Sequence, residues 1–559
     1  MSRLGAIVVI SAVVLGLLAD GLLAPDSRAG MPAGAGGLNT AIPVDDAAAG
    51  GGSDAASPPL KLSQSSVQPP PATRPPFKPG AAPSAPFSYA EVLGKARALA
   101  ATAYEPASGK APAAAANLNY DQYRRIEFKR DAADWANGEG SGFHLHYESQ
   151  GFLFKDPIAV NLVADGQSRA RPMVPGEFNF FDLPLSDEDK NALRFAGWHA
   201  TAPLNSAGKF DDVINFKGAS FFRALGAGNS YGASARGLAL ATASPNGEEF
   251  PAFREFWIER PAVGDNRLSI YALMDSPSVA GAFHFVVEPG AQTVIDVEAT
   301  FFPRKDVNEA GVAPLTSMFD FSPQDPAPGR QDFRPRVHDS EGFMFRLRNG
   351  EWVWRPLSNP GRLEISTFAE QTPLGFGLIQ RERRFDAYED LEAQYEKRPS
   401  VWITPKGDWG RGKLMLVEIP TSNEFNDNIV AFWRPEASWK KGEEIKLAYT
   451  MQWGLETPVQ PTVARVEATK TGIAPDGGRL FIIDFESENA SLFEGAAPTV
   501  TTSAGSVSNV TLTKNSHSGG VRLSFELENQ AGAPAELRAV LNRAGRAVTE
   551  TWLYRWSAS

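Results

Sequence analysis

The period of the apolar residues most constrains how this chain can fold. In Ile445-Lys-Leu447-Ala-Tyr449-Thr-Met451-Gln-Trp453 every second residue is apolar, so a pleated strand carries all five on one face. Shorter runs of strand-forming residues lie at Phe143 to Tyr147, Arg267 to Met274, Phe283 to Val287 and Lys413 to Ile419, separated by Gly, Pro, Asn and Asp. Alternating strand–helix units are absent, which excludes a doubly wound nucleotide fold. Many short strands at this spacing predict an all-β protein of sandwich or barrel type. One helix precedes them: Ser88-Tyr-Ala-Glu91 has capping-box spacing, and an Ala/Leu-rich run continues to about Tyr104.

With 559 residues, the chain has room for two or three domains and a large core. Arg3 and the apolar run Leu4 to Ala24, broken by Asp20, read as a secretory signal ending near Ser27-Arg28-Ala29. The alternative is an uncleaved inner-membrane anchor, since the run nearly spans a bilayer. Residues 30–86 are rich in Pro, Ala, Ser and Gly and read as a disordered tether. Residues 87–454 form the expected large β-sandwich, 455–463 a two-proline linker, and 464–559 a region of immunoglobulin-like size and pattern.

Composition removes several functions. A net charge of -11 argues against nucleic acid and against an anionic membrane surface. The absence of cysteine removes thiol catalysis, disulfides and Cys-based zinc sites. His144-Leu-His146 share a strand face, but no third ligand accompanies them, and no metal or other cofactor is assigned. Gly226-Ala-Gly228-Asn-Ser-Tyr-Gly232 lacks phosphate-loop spacing and reads as a loop that brings backbone close to a ligand or neighbour. Gly232-Ala-Ser234-Ala-Arg236-Gly237 misses the nucleophile-elbow spacing by one residue.

Carboxylates remain, beside a cluster of aromatic residues that suits either a groove for sugars or a packed core. Seven of the twelve tryptophans fall between Trp352 and Trp453. The same stretch contains Trp352-Val-Trp354-Arg355, Lys406-Gly-Asp-Trp409-Gly-Arg-Gly412 and Asn426-Asp427-Asn428. Aromatic faces stack on sugar CH surfaces, while Asn, Asp and Arg bond to hydroxyls. A Trp-rich core with solvated charges in its loops has the same composition, and both readings stand on residue types alone.

Several longer motifs carry a resemblance. Phe250-Pro-Ala-Phe-Arg-Glu-Phe-Trp-Ile-Glu-Arg260-Pro, Gly311-Val-Ala-Pro-Leu-Thr-Ser-Met318, His338-Asp-Ser340, Gly350-Glu-Trp-Val-Trp-Arg-Pro-Leu357 and Asn426-Asp-Asn-Ile-Val430 occur in order. From about Phe87 onward the chain resembles the periplasmic (osmoregulated) glucan biosynthesis G/D family. The resemblance implies a β-sandwich domain joined to an immunoglobulin-like one, in the periplasm, acting on β-1,2-glucan. It implies cleavage with inversion, or transglycosylation or cyclisation as in some relatives. Asp427 of N-D-N-I-V matches the general acid and Asp339 of H-D-S the general base. Tyr395 and Arg398 match Y-x-x-R-P-S as positioning or relay residues. Trp352, Trp354, Arg355, Trp409 and Asn426 complete the expected substrate contacts. The leader lacks the twin-arginine pair common in the D branch. The expected partners are the glucan, a membrane glucan synthase and a second copy of the chain. The alternative function is a non-catalytic glucan-binding scaffold that assists the synthase.

Overall fold

A computed structural model describes residues 84–136, 142–327, 329–368, 371–529 and 533–557. The leader and all but the end of the tether lie outside these residues. Two large sheets dominate, one of sixteen strands and one of ten. They face each other across one core, in which Trp198 and Phe222 of the smaller sheet meet Phe256 and Phe285 of the larger. The expected all-β sandwich is therefore present. The alternating run forms strand Ile445–Gly454, pairing with Gln292–Pro303 on one side and Ser400–Lys406 on the other. Its inward Tyr449, Met451 and Trp453 are buried.

Two details differ from the sequence reading at the amino end. Helix Tyr89–Ala101 stops short of Tyr104, and Ser88 makes no side-chain capping bond. Glu91 lies 3.7 Å from Lys95 instead, one turn along. Residues Ala85 and Pro86, expected in the tether, pair with Ser168 and Gln167 at a sheet edge, where proline's missing N–H costs no ladder bond.

The carboxyl-terminal strands split between two sheets. Arg465–Ile473, Arg479–Glu486, Ser506–Lys514 and Val521–Glu528 form a separate four-stranded sheet. Ala497–Thr502, Ala535–Arg543 and Thr551–Trp556 extend the sixteen-stranded sheet, because Thr551–Trp556 runs parallel to Trp352–Pro356. The layer between them is a second core containing Phe481, Phe525, Trp552 and Tyr554. Among the described residues, no helix is long and apolar enough to cross a membrane.

Candidate active site

Asp339 and Asp427 are brought together by one segment, residues 317–319. Asp339 follows the short strand Val337–His338, and its N–H donates to the Met318 carbonyl at 2.8 Å. On the other side, the N–H of Asn428 donates to the Ser317 carbonyl at 3.1 Å. The Asn428 side chain accepts from the Phe319 N–H at 2.8 Å and donates to the Phe319 carbonyl at 2.9 Å. Strand Ile429–Pro435 then continues the pairing with Ala310–Ser317. Each Asp backbone is thus indexed to the same three residues.

Both carboxyls are withdrawn from solvent, Asp339 to 1% exposure and Asp427 to 7%. Asp427 Oδ2 accepts from Ser234 Oγ at 3.4 Å, and Ser234 is also hydrogen-bonded to Thr316 across the strand pair. Asp427 Oδ1 and Asp339 Oδ2 have no hydrogen-bond partner among the described residues. Burial raises the pKa of Asp427 against the opposing charges of Arg223 and Arg236. Burial also pushes Asp339 up to about 6; Arg398 opposes the rise and the Asp427 charge adds to it. The Asp427 carboxyl thus acts on the titration of Asp339. Proton exchange at near-neutral pH is within reach of such a pair, and buried partnerless oxygens suit transfer to a bound hydroxyl or water.

Arg398 and Tyr395 join this site. Arg398 Nε lies 3.5 Å from Asp339 Oδ1, and its guanidinium sits 5.4 Å from the centre of the Tyr395 ring. Tyr395 donates its hydroxyl proton to Glu424 at 3.2 Å, and Arg334 ties Glu424 to Asp390 and Asp332. The glycine-rich loop braces Arg398: Ser230 N–H and Asn229 Nδ2 both donate to the Lys397 carbonyl. A Cβ on Gly232 would lie 2.9 Å from Arg398 Cδ, so the loop brings backbone against a neighbouring side chain. Asn426 is half-buried beside Asp427, with Oδ1 unpaired and Nδ2 bonded to Asn423.

The remaining expected contacts are structural. Trp352 and Trp354, 3% and 2% exposed, fill the second core. Trp354 has the Arg381 guanidinium 3.6 Å from its ring centre, and Trp352 packs on Trp402. Neither indole offers a face to a sugar, because strand Trp352–Pro356 is buried at every position. Arg355 is spent on a buried ion pair with Glu418 at 3.0 Å, and Glu418 is also held by Ser358. Trp409 is buried, with its indole N–H donating to the Ala448 carbonyl.

Arg223 was missed by sequence reasoning. It sits on strand Phe221–Ala224, is 3% exposed, and leaves Nε and Nη2 without hydrogen-bond partners among the described residues. Its charge lowers the pKa of both Asp427 and Asp339. Cross-strand register lines up His146, His199, Asn215 and Arg223 toward this site, since directly paired residues share a sheet face. His146 stacks on His199 with ring centres 4.9 Å apart. Among the described residues, no cluster of three or more His, Asp or Glu is arranged to hold a metal. His338, buried and pushed down to about 3, is neutral, and orients Gln380 toward the Tyr395 carbonyl.

The family model for the periplasmic glucan biosynthesis protein MdoG matches residues 87–556. The chain belongs to this family. It is 44% identical over 478 residues to a glucans biosynthesis protein G of Vibrio cholerae serotype O1, covering 84% of this chain and 87% of that one. It is 45% identical over 478 residues to the protein of the same name from Shewanella sp. (strain W3-18-1), with the same coverage. The Rhodopseudomonas palustris relative of that name is 45% identical over 466 residues, 83% of this chain and 92% of its own.

Proposed function

We propose that this protein is a periplasmic enzyme of glucan biosynthesis that cleaves, or transfers, β-1,2-glucan chains with Asp427 as general acid and Asp339 as general base. The observation carrying this reading is the buried pair itself. The Asp427 charge acts on Asp339, each carboxyl leaves an oxygen without a partner among the described residues, and Asp339 is pushed up to about 6. In the hydrolytic form, protonated Asp427 gives its proton to the glycosidic oxygen, directly or through a bridging hydroxyl. Water attacks the anomeric carbon from the opposite face and loses a proton to ionised Asp339, directly or through a water chain, inverting the configuration. Arg398 holds Asp339 ionised before attack, and Arg223 balances charge at both carboxyls. The relatives' names support the glucan; β-1,2 linkage and turnover belong to this proposal.

The experiment incubates purified protein with linear β-1,2-glucan and follows chain length and anomeric configuration. Shorter or cyclised products from the wild type, absent from Asp427→Asn and Asp339→Asn variants that still bind glucan, support the assignment. Unchanged product release by either variant refutes it. Binding with no product from the wild type favours the scaffold reading, in which the same groove holds glucan for a membrane synthase. The near-complete burial of Asp339 is the observation on that side.

A further inference from the structure

A cavity of about 360 Å³ opens beside the ten-stranded sheet, in the size range of small-molecule sites. Its apolar wall includes the rings of Phe154, Phe221 and Phe250. Cations already occupy positions over these rings. Lys217 Nζ lies 4.5 Å from the Phe154 centre, and the Arg236 guanidinium lies 4.6 Å from Phe221 and 5.4 Å from Phe250. Lys217 and Arg236 are themselves neutralised, by Glu148 and Glu248, each at 2.6 Å.

The rim has a different balance. Lys110, Lys155 and Arg254 stand there with a single carboxylate, Asp156, which is 3.3 Å from Lys110 and 3.7 Å from Arg254. Lys155 is exposed and makes no ion pair among the described residues. Its backbone is nonetheless fixed, because its carbonyl accepts from Ala111 N–H at 2.9 Å and Gln150 Nε2 at 2.7 Å. Arg254 is held by a 2.8 Å bond to the Tyr104 hydroxyl. A surplus of positive charge at the mouth of an aromatic hole is unusual on a chain of net charge -11.

We propose that this cavity binds an amphipathic anion, a carboxylate or phosphate monoester on a compact apolar body. The body fills the Phe-lined interior, where release of water from apolar surface drives binding. The head group stays at the rim with Lys155 and Arg254, where charge-assisted bonds are stronger than neutral ones. At about 360 Å³ the cavity is large enough for a medium-length acyl chain.

The test titrates the full chain calorimetrically with decanoate, decyl phosphate, decanol and decylammonium, each below its micelle concentration. The expected result is saturable one-to-one binding of both anions, at least tenfold tighter than decanol, with no binding of decylammonium. Lys155→Glu weakens decanoate binding at least tenfold, and as an exposed position it leaves the fold intact. Phe250→Asp abolishes binding in protein whose circular dichroism is unchanged. Equal affinity for decanoate and decanol overturns the proposal, as does decanoate binding indifferent to Lys155→Glu. Competitive displacement of decanoate by linear β-1,2-glucan also overturns it, by making the cavity part of the glucan groove.

Discussion

Asn428 brackets Phe319, accepting from its N–H and donating to its carbonyl. Through this bracket Asp427 is registered against the segment that also receives Asp339. Asn428→Leu keeps the branching and removes these bonds together with a third, from Nδ2 to the Ile419 carbonyl, leaving backbone groups unpaired at roughly 1–3 kcal/mol each. Urea unfolding should show a loss of about 3 kcal/mol or more, with cleavage falling alongside it.

The acidic limb of kcat/KM should follow Asp339. A base with a pKa of about 6 loses activity as pH falls through that value. Arg398 lowers this pKa, so Arg398→Gln should move the limb to higher pH. Measurement of initial rates from pH 4 to 8 on both proteins checks the direction.

Asp339 should also cost stability at neutral pH. Its folded pKa of about 6 lies above the ordinary aspartate value of 3.8. Its contribution is therefore fully present below that lower value and is lost as pH rises through about 6. Asp339→Asn removes the burial of a charge and should stabilise the fold by on the order of 2 kcal/mol at pH 7.5. The gain should close at pH 3.5, where both proteins are neutral at this position. Melting curves at the two pH values decide it.

Trp354→Ala should unfold more readily, by about 3–5 kcal/mol, while the folded fraction keeps its glucan affinity. A variant of wild-type stability with weakened glucan binding would return this indole to the groove.

Gly232→Val should act through Arg398. The new side chain collides with Arg398 Cδ and Cβ, so the expected loss is in kcat, with the acidic limb displaced as in Arg398→Gln. Gly472→Ala serves as a control for backbone stiffening, since no atom lies within 4 Å of its would-be Cβ and its φ is not in the left-handed region. Its kcat should match the wild type.

The strands were legible because burial on one face imposes a period of two, and Ile445 to Trp453 follows that period throughout. The helix at Tyr89 was legible from composition, but its cap was not, since whether Ser88 bonds depends on geometry. Asp339 and Asp427 were reached through motif resemblance; periodicity could not have paired residues joined by way of Met318 and Phe319. The Trp352 and Trp354 pair misled because period two places both indoles on one face without saying which layer covers it. Arg223 left no signal, lying in a Phe-Phe-Arg-Ala run that reads as ordinary strand.

The parallel pairing of Thr551–Trp556 with Trp352–Pro356 has a temporal consequence. These strands are about 200 residues apart, as the Thr551 to Glu351 bond measures. Glu550, just before the late strand, clamps Arg381, and Arg381 covers Trp354. A nascent chain therefore reaches residue 550 with the seam beside Trp354 still open. Closure of so long a loop is entropically costly, which makes this seam a late step in folding.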